Sequence, residues 1–149
     1  LISFLLFNFP NAKIFLGDSG SYLMGSLVAL NTIITNNLNP NYSSFFFCAL
    51  LFYLFFEVFF SFIRKCIKKK SPLNPDGSHL HMLLYNFLLK SKKLTNTNYK
   101  TSIIVNVIYF VLIIPAVFFQ ENGLISRYYF FLLIIIYTFS YYFLYKLKK

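Results

Sequence analysis

The stretch KIFLGDSGSYLMGSLVALNTIITNN, Lys13 to Asn37, sets the terms for the whole chain. It opens on a lysine, passes through a Gly-Asp-Ser-Gly-Ser turn and continues as an apolar run. Gly17, Ser21, Gly25 and Ala29 recur in it four apart. Residues at that spacing share a helix face, and small ones there let a second helix approach closely. The stretch therefore predicts a membrane-spanning helix over about 21–36 that lies inside a bundle, with its N-terminus at a polar site. Asp18 is one of four acidic residues in 149, so its place at the mouth of a hydrophobic segment needs a reason.

The rest of the chain is of the same character. It is 58% hydrophobic, 22% aromatic and 12% charged, where soluble domains average about 45–50% apolar and about 25% charged. Three further apolar segments, at about 43–63, 102–119 and 128–145, are each near the length that crosses a bilayer core. In lipid every backbone polar group must be paired within the segment, so each is predicted to be a helix. Pro40 is expected to end the first and Pro115 to bend or stop the third. Tyr128, Tyr129, Tyr141, Tyr142 and Tyr145 suit an interfacial aromatic belt. Cys48 and Cys66 have no second pair nearby and read as small hydrophobes. The expected fold class is all-α, a polytopic integral membrane helix bundle. It would have about four transmembrane helices plus an N-terminal helix stub (LISFLLFNF), all within one domain, 1–149. The stub reads as the tail of an interrupted helix, and the chain as the C-terminal part of a longer protein.

A net charge of +10 raises nucleic acid as a partner, but the basic residues lie in the gaps between apolar runs, so nucleic acid is excluded. Lys13 falls in one gap; Arg64, Lys65, Lys68, Lys69, Lys70, Lys90, Lys92, Lys93 and Lys100 share another; Lys146, Lys148 and Lys149 close the chain. The remaining gaps carry Arg127 alone. Under the positive-inside rule, loops at about 10–20 and 64–101 and the C-terminus are cytoplasmic.

Both motif-bearing segments fall on that face. A helix N-cap would account for Asp18 by itself, since aspartate there satisfies orphan amides and complements the dipole. Gly17, Ser19 and Gly20 also make the surrounding backbone permissive, and free amides at a helix start bind anions. A carboxylate beside a phosphate is most useful with a hard cation between them, and Mg²⁺ takes one or two carboxylates and fills its shell from phosphates. The second segment is SPLNPDGSHLHMLLY, Ser71 to Tyr85, where Pro72, Pro75 and Gly77 enforce turns ahead of His79 and His81. In a looped backbone the two histidines point to one side. They read either as solvated residues, with Asp76 capping a helix that begins near His79, or as a site for a phosphate or nucleotide helped by Lys68 to Lys70. Glu57, about two turns inside its span, is read as reaching the interface or pairing with Arg64 or Lys65, in support of the site.

On these motifs the chain resembles the polyprenyl-phosphate N-acetylhexosamine-1-phosphate transferases, the bacterial glycosyltransferase family 4. NAKIFLGDSGSYLMG is similar to that family's Phe-Leu-Gly-Asp-Ser-Gly-Ser signature. FEVFFSFIRK, from Phe56, followed by SPLNPDGSHLHMLLY is similar to the branch with glutamate in that helix and a Pro-Asp-x-x-His-Leu-His loop. The resemblance covers roughly residues 1–90. It implies transfer of a sugar 1-phosphate from a UDP-N-acetylhexosamine to undecaprenyl phosphate, with release of UMP, in the membrane of a bacterial cell and with Mg²⁺ as cofactor. It also implies that Asp18 is the metal-binding or catalytic aspartate and that His79 and His81 help bind the nucleotide sugar. Asp76, Gly17, Ser19 and Gly20 accompany them as candidate substrate-binding residues. Ser19 and His-Leu-His favour the N-acetylhexosamine branch over the pentapeptide-muramic acid branch, with its Gly-Asp-Val-Gly-Ser and three histidines. The family's Asp-Asp motif lies in an earlier loop and has no counterpart in these 149 residues, so the isolated piece is expected to be inactive and to need the missing N-terminal part. The rival expectation is a non-catalytic polytopic membrane protein or a degenerate remnant. A basic surface for anionic lipid would explain the lysines but neither motif.

Overall fold

Greasy helices need their broken ends repaired, and the repairs shape this chain. The computed structural model describes residues 2–9, 13–72, 74, 76–90 and 96–148, and all regular structure in them is α-helical. Pro75, Lys92, Lys93 and Lys149 lie outside the described residues. The chain divides into two units, Leu1–Tyr42 and Ser43–Lys149.

In the first unit α1 (Ile2–Asn8) is the expected stub and α2 (Gly17–Leu38) the first long helix. Asn8 ties the segment between them. Its Oδ1 accepts from the amides of Lys13 (2.9 Å) and Ile14 (2.8 Å), and its Nδ2 donates to Ile14 O (2.7 Å). The helix α2 has 22 residues, but its second half carries Asn31, Thr32, Thr35, Asn36 and Asn37. Several of its polar side chains turn back on the helix: Ser26 donates to Tyr22 O, Asn31 to Leu27 O and Thr32 to Val28 O. No residue of α2 is buried, and within its own unit nothing packs on the small-residue stripe at Gly25.

The second unit holds α3 (Ser44–Leu50), α4 (Phe52–Ile67), α5 (Leu80–Lys90), α6 (Thr97–Phe118) and α7 (Gly123–Lys148). The expected span at 43–63 is not one straight helix. It is a pair, α3 and α4, bent by 76° at Leu51. The Leu50 carbonyl at this break accepts the Tyr109 hydroxyl of α6, so that acceptor is satisfied from a neighbouring helix. Ser43 caps α3 through Oγ, which accepts from Phe45 N, while its own amide donates to Gln120 O. Pro115 does not stop α6, which runs on to Phe118, and Tyr129 of α7 donates to Leu112 O in the turn before it.

The core of this unit is aromatic. Phe52 stacks on Phe56 at 4.8 Å between ring centres, Tyr137 meets Phe56 edge-on at 5.0 Å, and Tyr141 meets Phe60 likewise at 4.8 Å. Such edge-on pairs add about 0.5–1.5 kcal/mol each beyond their burial. Large apolar side chains elsewhere, such as Leu54, Phe62, Phe110 and Phe139, stand exposed, as a lipid-facing surface requires. Among the described residues α6 and Gly123–Leu147 are long and apolar enough to cross a membrane, and α3 with α4 makes a third if the bent pair is one span. The expected count of about four would need α2, which has the length, while its asparagines lower its hydropathy. This is a membrane protein built of helices.

Candidate functional site

In the first unit the Gly-Asp-Ser-Gly-Ser turn becomes the first turn of α2. Gly17 takes φ +71°, a conformation that glycine adopts without penalty. Leu16 folds back over Gly20, where a Cβ would lie 2.7 Å from Leu16 Cγ. Asp18 is inside the first turn rather than before it. The cap position belongs to Leu16, whose side chain makes no capping bond, so the N-cap explanation of Asp18 does not hold. Among the described residues no hydrogen bond or ion pair engages the Asp18 carboxylate, which is exposed at the positive end of the helix dipole. Ser21 Oγ donates back to Gly17 O at 2.8 Å, while Ser19 is exposed beside Asp18.

In the second unit the histidine loop is held by four side chains. Lys65, buried at the end of α4, donates through Nζ to Pro72 O (3.0 Å) and Asn74 O (2.6 Å). Arg64 forks onto Asp76, Nη1 to Oδ2 at 2.8 Å and Nη2 to Oδ1 at 3.1 Å. The Arg64 guanidinium, together with the Ser78 amide on Oδ1, draws the Asp76 carboxyl from 3.8 down to about 2. Asp76 therefore bonds the amide of Ser78 and not the first turn of α5, contrary to its expected capping role. That place is taken from another helix: Glu57 Oε1 accepts from Leu80 N (3.0 Å), at the first residue of α5, and from His79 Nδ1 (2.9 Å). Tyr137 of α7 donates to the other oxygen, Oε2, at 2.7 Å. Glu57 thus pairs with neither Arg64 nor Lys65. Their side chains reach the loop, and Glu57 reaches its histidine.

His79 stands just before α5 and His81 in its first turn, as a helix beginning near His79 would place them. His79 and His81 stack, 5.7 Å between ring centres and 17° between planes. His79 Nε2 lies 4.0 Å from Asp76 Oδ1. His81 lines a polar recess of about 340 Å³ with Asn98, Ser102 and Asn106 of α6, and Lys65, Lys70, Ser71, Asn74 and Asp76 line another of about 320 Å³. An apolar cavity of about 290 Å³ beneath Leu80 and Tyr137 is walled by Leu84, Ile108, Leu133 and Leu144 among others. Lys68 is turned onto Tyr145, 4.8 Å above its ring, while Lys69 and Lys70 are exposed. Lys69 ends α4 with φ 53°, its amide bonded to Cys66 O and that of Lys70 to Lys65 O.

Among the described residues no three His, Cys, Asp or Glu side chains gather as a metal group. The unengaged Asp18 carboxylate suits Mg²⁺, which completes its shell from water and phosphates, and does not suit zinc.

Residues 1–36 match the model of glycosyl transferase family 4. The chain is also 36% identical, over 94 residues, to an undecaprenyl-phosphate alpha-N-acetylglucosaminyl 1-phosphate transferase of Thermotoga maritima. The Thermotoga match covers 63% of this chain and 31% of that protein. A probable undecaprenyl-phosphate N-acetylglucosaminyl 1-phosphate transferase of Bacillus subtilis is 31% identical over 94 residues, 61% of this chain and 26% of its own length. A phospho-N-acetylmuramoyl-pentapeptide-transferase of Leuconostoc mesenteroides is 53% identical over 34 residues, 23% of this chain and 11% of its own. The chain therefore spans less than a third of the relatives it matches. No solved structure matches it.

Asn8, Lys65 and Tyr137 were missed from sequence. Asn8 is an ordinary asparagine at the end of the helix stub, Tyr137 is one of twelve tyrosines, and Lys65 reads from sequence as one of a basic cluster or as a partner of Glu57. The signal that could have found the clamp was Glu57, an ionisable residue inside an apolar span, which demands partners.

Proposed function

We propose that this chain supplies the nucleotide-sugar loop and one metal-binding carboxylate of a polyprenyl-phosphate N-acetylhexosamine-1-phosphate transferase. In the reaction an oxygen of undecaprenyl phosphate attacks the sugar-bearing phosphorus of a UDP-N-acetylhexosamine. The bond to the bridging oxygen breaks, UMP leaves, and undecaprenyl-diphosphate-N-acetylhexosamine remains in the membrane for cell-envelope glycan synthesis. The enzyme is a multi-pass protein of the bacterial cytoplasmic membrane, with both motif loops on the cytosolic side where UDP-sugars are found.

The observation that carries this reading is the stacked histidine pair, with His79 held by Glu57 and the loop before it held by Arg64 through Asp76. Phosphoryl transfer asks a protein mainly for positioning and charge neutralisation, and a fixed histidine pair with the exposed Lys69 and Lys70 at the start of the same loop would provide both. His79 and His81 would contact the nucleotide sugar. Gly17 and Ser19 would let phosphate approach the first α2 amides, with Gly20 making room for Leu16, and Asp18 would hold Mg²⁺. Bound there, the cation would neutralise charge on the transferring phosphates.

The test is Mg²⁺-dependent UMP release from UDP-N-acetylhexosamine and undecaprenyl phosphate, by membranes carrying the open reading frame that contains this chain. Asp18→Asn is expected to lower the rate by about 10²–10³-fold at equal protein level, since several kcal/mol of charge stabilisation is lost and no fold contact is. Near-normal turnover by that variant would overturn the metal role.

A further inference from the structure

We propose that Glu57 and Tyr137 are positioning residues for His79, and that through Tyr137 the helix α7 is a working part of the nucleotide-sugar site. The proposal rests on the function given above, and it goes beyond the motif residues to a helix that no motif marks. Three donors converge on the Glu57 carboxylate, from His79 Nδ1, Leu80 N and Tyr137 Oη, at 2.9, 3.0 and 2.7 Å. Oε1 already accepts the Leu80 amide, so the imidazole nitrogen facing it must carry a proton to make a favourable contact. That commits Nδ1–H to Glu57 and leaves Nε2 as the atom His79 presents to a ligand.

Each bond restrains a different freedom. The Leu80 amide fixes Glu57 against the first turn of α5, and so fixes the backbone that bears both histidines. Tyr137 fixes the second carboxylate oxygen and with it the rotation of the carboxylate plane. The Glu57 side chain is 10% exposed, so little water competes for these contacts. The Tyr137 ring is itself set by Phe56 at 5.0 Å and Phe60 at 5.3 Å, and its residue is 4% exposed. A buried carboxylate in an apolar helix would be costly if its donors were not all in place. The clamp thus holds the loop in one position and links α4, α5 and α7.

This chain contributes two histidines, whose ring signals in the whole protein, labelled with ¹⁵N-histidine in detergent micelles, are assigned with His79→Gln and His81→Gln. Two-bond proton–nitrogen correlations report which ring nitrogen is protonated. His79 is expected to carry a proton on Nδ1 in the native protein and in Glu57→Gln, whose carbonyl oxygen still accepts. In Glu57→Leu it should pass to the Nε2–H form that unrestrained imidazole favours. Tyr137→Phe keeps the ring packing and removes one hydroxyl, so the KM for UDP-N-acetylhexosamine should rise about 3–10-fold, as loss of one hydrogen bond predicts, with kcat within about twofold. Glu57→Gln should restore most of what Glu57→Leu loses in KM. A native His79 with Nδ1 bare would overturn the proposal, as would an unchanged KM in both Tyr137→Phe and Glu57→Leu. If the native protein transfers no sugar phosphate, the functional reading fails, while the tautomer measurement still decides the clamp.

Discussion

Replacing Asp76 by asparagine should loosen the histidine loop by a measurable amount. In the native chain Arg64 holds the Asp76 carboxyl at about 2 instead of 3.8, which corresponds to about 2.4 kcal/mol at 1.36 kcal/mol per pH unit. The Asp76 side chain is 23% exposed, and solvent screening reduces the contribution to about 1–2 kcal/mol. Asparagine can still accept from Ser78 N and from one Arg64 nitrogen, but Arg64, with its side chain 9% exposed, loses its counter-charge. A net loss of about 2 kcal/mol is expected, or roughly 30-fold in the loop-opening equilibrium. Trypsin cleavage after Lys69 and Lys70 of the native protein in micelles at pH 8 reads that opening directly. The variant should be nicked about 10–30-fold faster while the helices stay intact by circular dichroism. The folded value lies below the unfolded one, so the native contribution is complete above about pH 4 and drains away as pH falls toward about 2. Amide exchange across 76–79, corrected for intrinsic rate, should lose protection over that window in the native protein and show no such step in Asp76→Asn. Equal nicking rates at pH 8 would refute the Arg64–Asp76 lock.

Lys69 ends α4 with φ 53°, so Lys69→Gly should raise the stability of this end by about 0.5–1 kcal/mol, seen as slower trypsin nicking after Lys70. A topology check follows from the lysine distribution: cysteine labels at Asn37 and Gln120 should react from outside intact cells, and one at Lys69 only after the membrane is opened. External labelling at Lys69 would reverse the orientation and remove both motif loops from cytosolic UDP-sugar.

Much of the candidate site was legible because each motif is local. Gly17 and Gly20 could be read as permissive, closely approached backbone, and one takes positive φ while the other packs under Leu16. The histidine pair could be read as facing one way from two-residue spacing, and the rings stack. The capping roles could not be read. A carboxylate near a helix start looks like a cap in sequence, yet Asp18 sits one step too far in and Asp76 is captured by Arg64. The first turn of α5 is served by Glu57, 23 residues from Leu80.

By itself the sequence determined that this is an all-helical membrane protein. A chain of 58% hydrophobic residues interrupted by lysine clusters has only one way to pair its backbone groups in lipid. It also carried the resemblance to glycosyl transferase family 4, through two short motifs whose residue types are chemically constrained. Only the tertiary structure decided where the span at 43–63 breaks, which partner Glu57 takes, and that α7 reaches the histidine loop through Tyr137. Those are choices among many aromatic and basic side chains of equal local propensity. They are settled by which donors and acceptors the packed helices bring within hydrogen-bond distance, and pattern along a chain carries no record of that.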